Sequence, residues 1–105
     1  MISIKTFHQL ALSFPGAKEV PHFHKRSYRV HNRIFATLDE QEKTVVIKLQ
    51  PVDQSAFCAF DASIIYPAPG LWGGHGWTIV NLNLVRKSTV KDALATAYNT
   101  VAKKK

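Results

Sequence analysis

Apolar side chains recur every three or four residues near both ends of the chain, which predicts an amphipathic helix at each end. The first helix covers residues 3–14, with Ser3 at the N-cap position. The last helix follows Ser88, which we predict to be its N-cap, and repeats apolar residues from Val90 to Val101.

Between the terminal helices, the hydrophobic period shortens to two residues, which is typical of β-strands. His31 and Asn32 suit a two-residue turn, and residues 40–43 suit a polar hairpin loop. Such short connections predict antiparallel pairing. The predicted strands are residues 26–30, 33–39, 44–50 and 77–84, with a further extended stretch at 63–69.

A third, short helix is predicted over residues 51–60, with Val52, Ala56, Phe57 and Phe60 turned inward. Helices at both ends of a run of antiparallel strands indicate an α+β fold, in which the N- and C-terminal helices pack on one face of a single antiparallel β-sheet. The length of 105 residues fits a single domain over residues 1–105. Residues 103–105, all lysine, are expected to form a frayed basic tail.

Strand alternation sorts the side chains of the predicted sheet into two faces. The apolar set that should meet the helices is Tyr28, Val30, Ile34, Ala36, Leu38, Val45, Ile47 and Leu49. The opposite set is Arg29, Arg33, Phe35, Thr37, Val46 and Lys48. Cations and an aromatic ring on one face suit nucleic acid, but long cationic stems that merely cover an exposed sheet give the same pattern. Both interpretations stay open.

The charge balance favours a polyanionic partner. Fourteen Lys and Arg against seven Asp and Glu give a net charge of +7 and a pI near 9.8. No apolar run approaches the roughly 20 residues of a membrane helix, and the N-terminus lacks the features of a signal peptide. We therefore expect a cytoplasmic protein with no membrane partner. Cys58 is the only cysteine, so no intrachain disulfide is possible.

Candidate metal ligands and catalytic groups are sparse. His22 and His24 could point two imidazoles the same way, with His31 or His75 as a third ligand, but no carboxylate accompanies them in the sequence. The seven Asp and Glu residues lie outside apolar runs that would perturb a pKa, and the known catalytic motifs are absent. The sequence therefore predicts no metal, no cofactor and no enzymatic activity.

Residues 68–77, APGLWGGHGW, contain four of the chain's five glycines. Their spacing matches neither a Walker loop nor a dinucleotide-binding loop. We interpret the segment as a structured connector that turns into the strand at Trp77, a predicted core residue. Trp72 is expected to anchor the loop to the body, and a ring that stacks on a base is the alternative. Trp72 and His75 remain candidates for binding.

The segments PAPGLWGGHGWT at 67–78 and RIFATL at 33–38 resemble the MmcQ/YjbR family, and the resemblance covers nearly the whole chain. It implies a fold similar to the bacterial frataxin-like CyaY arrangement and a double-wing DNA-binding motif, with no catalytic residue set. The chain has FHKRSY at 23–28 in place of the expected FGKPSF, which adds His24 and Arg26 and makes the region more basic. The positions that match the family pattern are Phe23, Lys25, Ser27, Arg29, Arg33, Phe35, Lys48, Trp72, Gly73, Gly76 and Trp77.

The sequence thus predicts a non-enzymatic nucleic-acid-binding module that is monomeric and has DNA as its partner. The alternative is a small-molecule or peptide-binding domain with a cleft between the sheet and the loop at residues 66–77. The predicted nucleic-acid-binding residues are Lys25, Arg26, Arg29, Arg33, Phe35, Lys48, Trp72 and His75.

Overall fold

The computed structural model describes residues 2–102, which form four helices and a six-stranded sheet. The helices are α1 (Ile4–Leu12), α2 (Pro51–Phe60), α3 (Leu71–Gly74) and α4 (Lys87–Ala102), and none of these is long and apolar enough to cross a membrane. The strands are β1 (Lys18–His22), β2 (Lys25–Val30), β3 (Arg33–Asp39), β4 (Thr44–Lys48), β5 (Ile65–Pro67) and β6 (Trp77–Asn81). The predicted frayed tail lies outside the described residues.

The sheet has the strand order β1-β2-β3-β4-β6-β5, and every neighbouring pair is antiparallel. Both terminal helices pack on one face. Helix α4 lies across β3 and β4, and α1 sets Phe7 edge-on against Tyr28 with ring centroids 5.6 Å apart. These contacts confirm the predicted α+β fold. The opposite face, which we call the open face, is bordered by residues 66–77, which we call the glycine loop.

Local sequence explains most of the element boundaries. Ser3 caps α1 as predicted, since its side chain accepts a backbone N–H of the first turn at 3.1 Å. His31 and Asn32 have φ values of 53° and 62°, as a two-residue hairpin turn requires. The predicted cap at Ser88 is wrong, because α4 begins at Lys87 and Ser88 lies within its first turn.

Two elements at the sheet edges differ from the prediction. The sequence pattern does not predict β1, because this edge strand is mostly exposed and has no apolar alternation. In α2, Val52 and Phe60 are 70% and 73% exposed rather than turned inward. Helix α2 packs beside β5 at the sheet edge, so only Phe57 and Cys58 reach the core in part.

A β-bulge in β3 moves Phe35 from the predicted open face into the core. Tyr28 pairs with Ala36 and the next residue, Arg29, pairs with Ile34, which leaves Phe35 as the extra residue. Phe35 is fully buried, and its ring meets the ring of Tyr98 edge-on at 5.5 Å. The same shift turns Ile34 onto the open face, so the predicted positions of Ile34 and Phe35 are exchanged.

The bulge assignment predicts unequal effects of two adjacent truncations. Phe35→Ala should lower the free energy of unfolding by about 3–5 kcal/mol, because it leaves a cavity beneath Phe14 and Tyr98. Ile34→Ala should cost about 1–2 kcal/mol, since this side chain is partly exposed. Urea denaturation of both variants measures the difference. Equal losses, or a larger loss for Ile34→Ala, would contradict the assignment.

Candidate functional site

Alternate side chains of the central strands form an apolar floor on the open face. The pairing register aligns Thr37 with Val46, and Val46 with Ile79. These residues lie at the bottom of a groove of about 580 Å³ between the β1–β2 hairpin and the glycine loop. The lining residues are His22, Lys25, Ile34, Thr37, Val46, Ala68, Pro69, Trp72, Trp77 and Ile79.

A second depression of about 420 Å³ shares Ile34 and Trp77 with this groove and reaches around the end of the sheet to the end of α4, which packs on the other face. Its lining residues are Arg29, Asn32, Arg33, Ile34, Lys48, Trp77, Thr100 and Val101. We call the two depressions together the open-face groove, the first being its aromatic end and the second its cationic end. Each has a volume within the range of small-ligand sites, about 300–1,000 Å³.

Positive groups stand at both ends of the open-face groove, and none of the described residues that line it is Asp or Glu. Arg29 is held from within the sheet, because its Nε donates to Ser27 Oγ at 3.1 Å and this hydroxyl donates to the Val20 carbonyl at 2.6 Å. The bond to Ser27 uses one of the five N–H donors of a guanidinium. Arg33 is exposed at the same end, and Lys25 lies at the aromatic end.

Lys48 connects the groove with the glycine loop. Its Nζ lies 5.1 Å from the centre of the Trp77 ring and donates a hydrogen bond to the His75 carbonyl. The cation–π contact and the hydrogen bond stabilise the turn from the loop into β6. Lys48 therefore stabilises the glycine loop and also contributes a positive charge to the groove.

Two glycines let the glycine loop approach its neighbours closely. A Cβ at Gly76 would lie 1.9 Å from the Leu49 carbonyl oxygen, and φ there is 97°. A Cβ at Gly73 would lie 2.2 Å from the carbonyl oxygen of Ala68. The backbone N–H of Leu49 donates to the Gly76 carbonyl at 2.9 Å. This packing confirms the interpretation of the segment as a structured connector.

Gln54 of α2 holds the glycine loop from the helix side of the sheet. Its Nε2 lies 3.0 Å from the Gly73 carbonyl oxygen and 3.0 Å from Thr78 Oγ1, with the Trp77 carbonyl oxygen at 3.3 Å. The buried Thr78 hydroxyl in turn donates to the Gly76 carbonyl at 3.0 Å. Sequence analysis does not identify Gln54 or Thr78, because no spacing pattern marks a single amide on a short helix.

Both tryptophans line the open-face groove, contrary to the predictions made for them. Trp72 is 66% exposed and does not anchor the loop in the core. Trp77 is partly exposed on the open face, beneath the ammonium of Lys48, rather than buried. The His75 side chain is exposed and lines neither end of the groove, so only its carbonyl takes part. The exposure of Trp72 favours the alternative interpretation, a ring available for stacking.

Besides His75, two more of the predicted binding residues lie away from the groove. Phe35 belongs to the core, as described above. Arg26 lies on the helix-covered side of β2, where it forms ion pairs with Glu40 at 2.8 Å and Glu19 at 3.7 Å. Burial raises the pKa of the adjacent Tyr28 to about 12, and the Glu19 carboxylate adds to the rise. The positive charge of Arg26 is thus balanced by two carboxylates and does not add to the groove.

The histidines do not assemble into a metal site. His22 lines the aromatic end, with its ring 4.9 Å from the ring of Phe23 at the tip of the β1–β2 hairpin. Among residues 2–102, no group of three His, Cys, Asp or Glu side chains is close enough to hold a metal ion. The hypothesis that His22, His24 and His75 bind a metal together therefore has no support in their arrangement.

Sequence analysis missed two residues of the apolar floor, Ile34 and Ile79. Alternation within β6 could have indicated Ile79, since it shares a face with Trp77 and lies opposite the buried Thr78 and Val80. The partner of β6 is β4, which is distant in sequence, so the neighbours of Ile79 could not be found. Ile34 reaches the groove only because of the bulge, for which the sequence offers no sign.

A family model described as YjbR matches residues 12–100 of this chain. The chain belongs to the YjbR family. A similar solved structure is that of the Deinococcus radiodurans protein DR2400, described with the family-model domain DUF419. It has a TM-score of 0.85 at 20% identity, over 99% of this chain and 81% of that one, which shows a shared fold. A comparison with curated proteins gives no match.

The departures of this YjbR-family chain from the expected FGKPSF do not change the groove. Position 24 needs no glycine, because the positive φ of this turn, 60°, is at Phe23 and not at His24. The added charge of Arg26 is directed toward Glu19 and Glu40 on the other side of the sheet. The more basic sequence therefore does not make the open-face groove more basic, contrary to the expectation from sequence.

The loop geometry predicts opposite outcomes for two nearby glycines. Gly76→Ala should lower the free energy of unfolding by about 1–3 kcal/mol or more, because the methyl group meets the Leu49 carbonyl and φ is strained. Gly74→Ala should be neutral or stabilising by up to about 1 kcal/mol, since open space surrounds its Cβ position. Thermal and urea denaturation measure both changes. A tolerated Gly76→Ala would contradict the close approach.

Proposed function

We propose that this YjbR-family chain is a non-enzymatic nucleic-acid-binding module that holds DNA in the open-face groove. The observation that carries this proposal is an apolar, aromatic floor between groups of cations, with no Asp or Glu side chain among the lining residues within 2–102. Phosphates pair with cations, while the faces of bases are apolar and stack on rings. A solvated basic surface would not need an apolar floor between its charges.

The placement of the acidic residues supports the proposal. Glu19 and Glu40 are paired with Arg26 on the other side of the sheet. Asp92 lines a separate depression between α2 and α4, whereas Asp53 lines one that shares Thr100 with the cationic end of the groove. Glu19, Glu40 and Asp92 therefore do little to reduce the positive potential that would steer a polyanion toward the groove.

The environment of the cysteine does not favour nucleophilic catalysis by its thiol. Cys58 lies on α2 and does not line the open-face groove. Its partial burial raises the pKa of the thiol, so the protonated, unreactive form dominates at neutral pH.

Titration of labelled DNA at two salt concentrations tests the proposed function. The affinity for single-stranded or duplex DNA should fall steeply with salt, in proportion to the number of phosphates contacted. Arg29→Gln and Arg33→Gln should each weaken binding and lower the salt slope by about 1. Lys91→Gln removes an exposed charge of α4 outside the groove and is the matched control. Absence of binding at low salt, or equal losses in all three variants, would refute the proposal.

A second candidate function is the binding of a small molecule or peptide in the same groove. The size of the aromatic end, about 580 Å³, and its apolar floor favour this possibility. Such a ligand would lie between the sheet and the glycine loop.

A thermal-shift screen tests this second candidate with a compound library in the absence of DNA. A ligand present at 100 times its Kd should stabilise the protein by about 2.7 kcal/mol and raise Tm. Val46→Thr makes the floor more polar at nearly constant shape and should reduce the shift. Val52→Thr is the matched control, because Val52 is exposed on α2. The candidate is rejected if no compound class raises Tm, or if both variants respond alike.

A further inference from the structure

We infer that the open-face groove selects single-stranded DNA, with an unpaired base at its aromatic end and the flanking phosphates at its cationic end and at Lys25. The inference rests on the proposed function and specifies the form of DNA that the groove accepts. It follows from three features of the groove: the apolar floor, the exposed ring of Trp72 and the positions of its cations.

The apolar floor cannot be covered by a duplex. Val46, Ile79 and the shared residues Ile34 and Trp77 are partly exposed at the bottom of the groove. Duplex DNA presents phosphates and the polar edges of its bases, while the faces of the bases are stacked inside. An unpaired base exposes its face and can lie on this floor. The volume of about 580 Å³ has the scale of a small ligand and not of a double helix.

The exposed ring of Trp72 lines the groove on the side of the glycine loop. On the other side, the lining residue is His22, and the 91% exposed Phe23 lies next to it at the tip of the β1–β2 hairpin, outside the lining. Stacking on aromatic rings is the common way in which proteins hold unpaired bases without sequence preference. Because Trp72 does not pack into the core, its ring is available to a base of a bound strand.

Cations lie at both ends of the floor, where the phosphates of a DNA strand that crosses the floor would be. Arg29 and Arg33 lie at the cationic end, and Lys25 lies at the other end, beyond the floor. The two ends are continuous through Ile34 and Trp77. A strand that enters along the arginines therefore passes over Trp77 before it reaches Lys25, with phosphates on either side of the bound base. A mononucleotide would engage only one of these ends.

The chain contains two tryptophans, and both line the groove, so intrinsic fluorescence reports directly on base stacking. The probes are an oligothymidylate, a duplex of equal length and an abasic deoxyribose-phosphate oligomer of equal charge, all at one low salt concentration. We expect the oligothymidylate to quench the fluorescence and to bind about tenfold more tightly than either of the other probes.

Two substitutions in the glycine loop separate stacking from charge. Trp72→Leu should weaken binding of the oligothymidylate roughly tenfold to a hundredfold and leave binding of the abasic oligomer unchanged. Leu71→Ala alters the exposed neighbour, which does not line the groove, and should leave both affinities unchanged. Circular dichroism of both variants shows whether the fold is retained, as the exposure of both side chains predicts.

The outcomes distinguish this inference from the proposed function. If the duplex or the abasic oligomer binds as tightly as the oligothymidylate, the groove recognises phosphates alone, so the inference fails while the proposed function stands. Unchanged oligothymidylate affinity in Trp72→Leu also overturns the inference. If none of the three probes binds at low salt, the proposed function and the inference both fail.

Discussion

The extra residue at the bulge in β3 determines what each face of the sheet can do. By inserting Phe35 into the pairing with β2, the bulge buries this ring against Phe14 and Tyr98 and turns Ile34 outward. The core thereby gains the aromatic contact that joins α4 to the segment after α1. The open face gains the apolar residue that links the two ends of the groove. A regular strand in this position would have placed Phe35 on the open face and Ile34 in the core.

The shape of the groove depends equally on the glycine loop, which is held by its backbone rather than by its large side chains. Gly76 lies against Leu49 so closely that no side chain fits, and Gln54 binds the loop carbonyls from the opposite side of the sheet. Because these contacts fix the loop, Trp72 is not needed as an anchor and remains exposed. The fixed backbone of the glycine loop and the exposed ring of Trp72 form one wall of the groove. This wall needs little reorganisation when a ligand binds, which lowers the entropic cost of association.

The fold could be predicted from sequence further than the site could, for physical reasons. Helical spacing, the Ser3 cap and the turn at His31 and Asn32 are local features, so the elements that they define were predictable. The site depends on two non-local features, the bulge at Phe35 and the pairing of β4 with β6. Strand alternation propagates a single error in register to every residue beyond it. The family pattern includes Trp72 and Trp77, but it does not specify toward which face of the sheet either ring points.

The net charge of the chain does not by itself indicate a binding site; the distribution of the charged residues over the fold is needed as well. The net charge of +7 alone fits either a solvated surface or a polyanion site. In the folded chain, Glu19 and Glu40 form ion pairs with Arg26 on the helix-covered side of the sheet. Arg29 donates a hydrogen bond to Ser27 and lies at the open-face groove. Glu19 and Glu40 therefore balance a positive charge that lies outside the groove. Because the cations of the groove border an apolar floor, a ligand that satisfies both must carry negative charge and an exposed planar face in alternation. Single-stranded DNA has this chemistry along its whole length, whereas a simple anion or an apolar compound provides only one part of it.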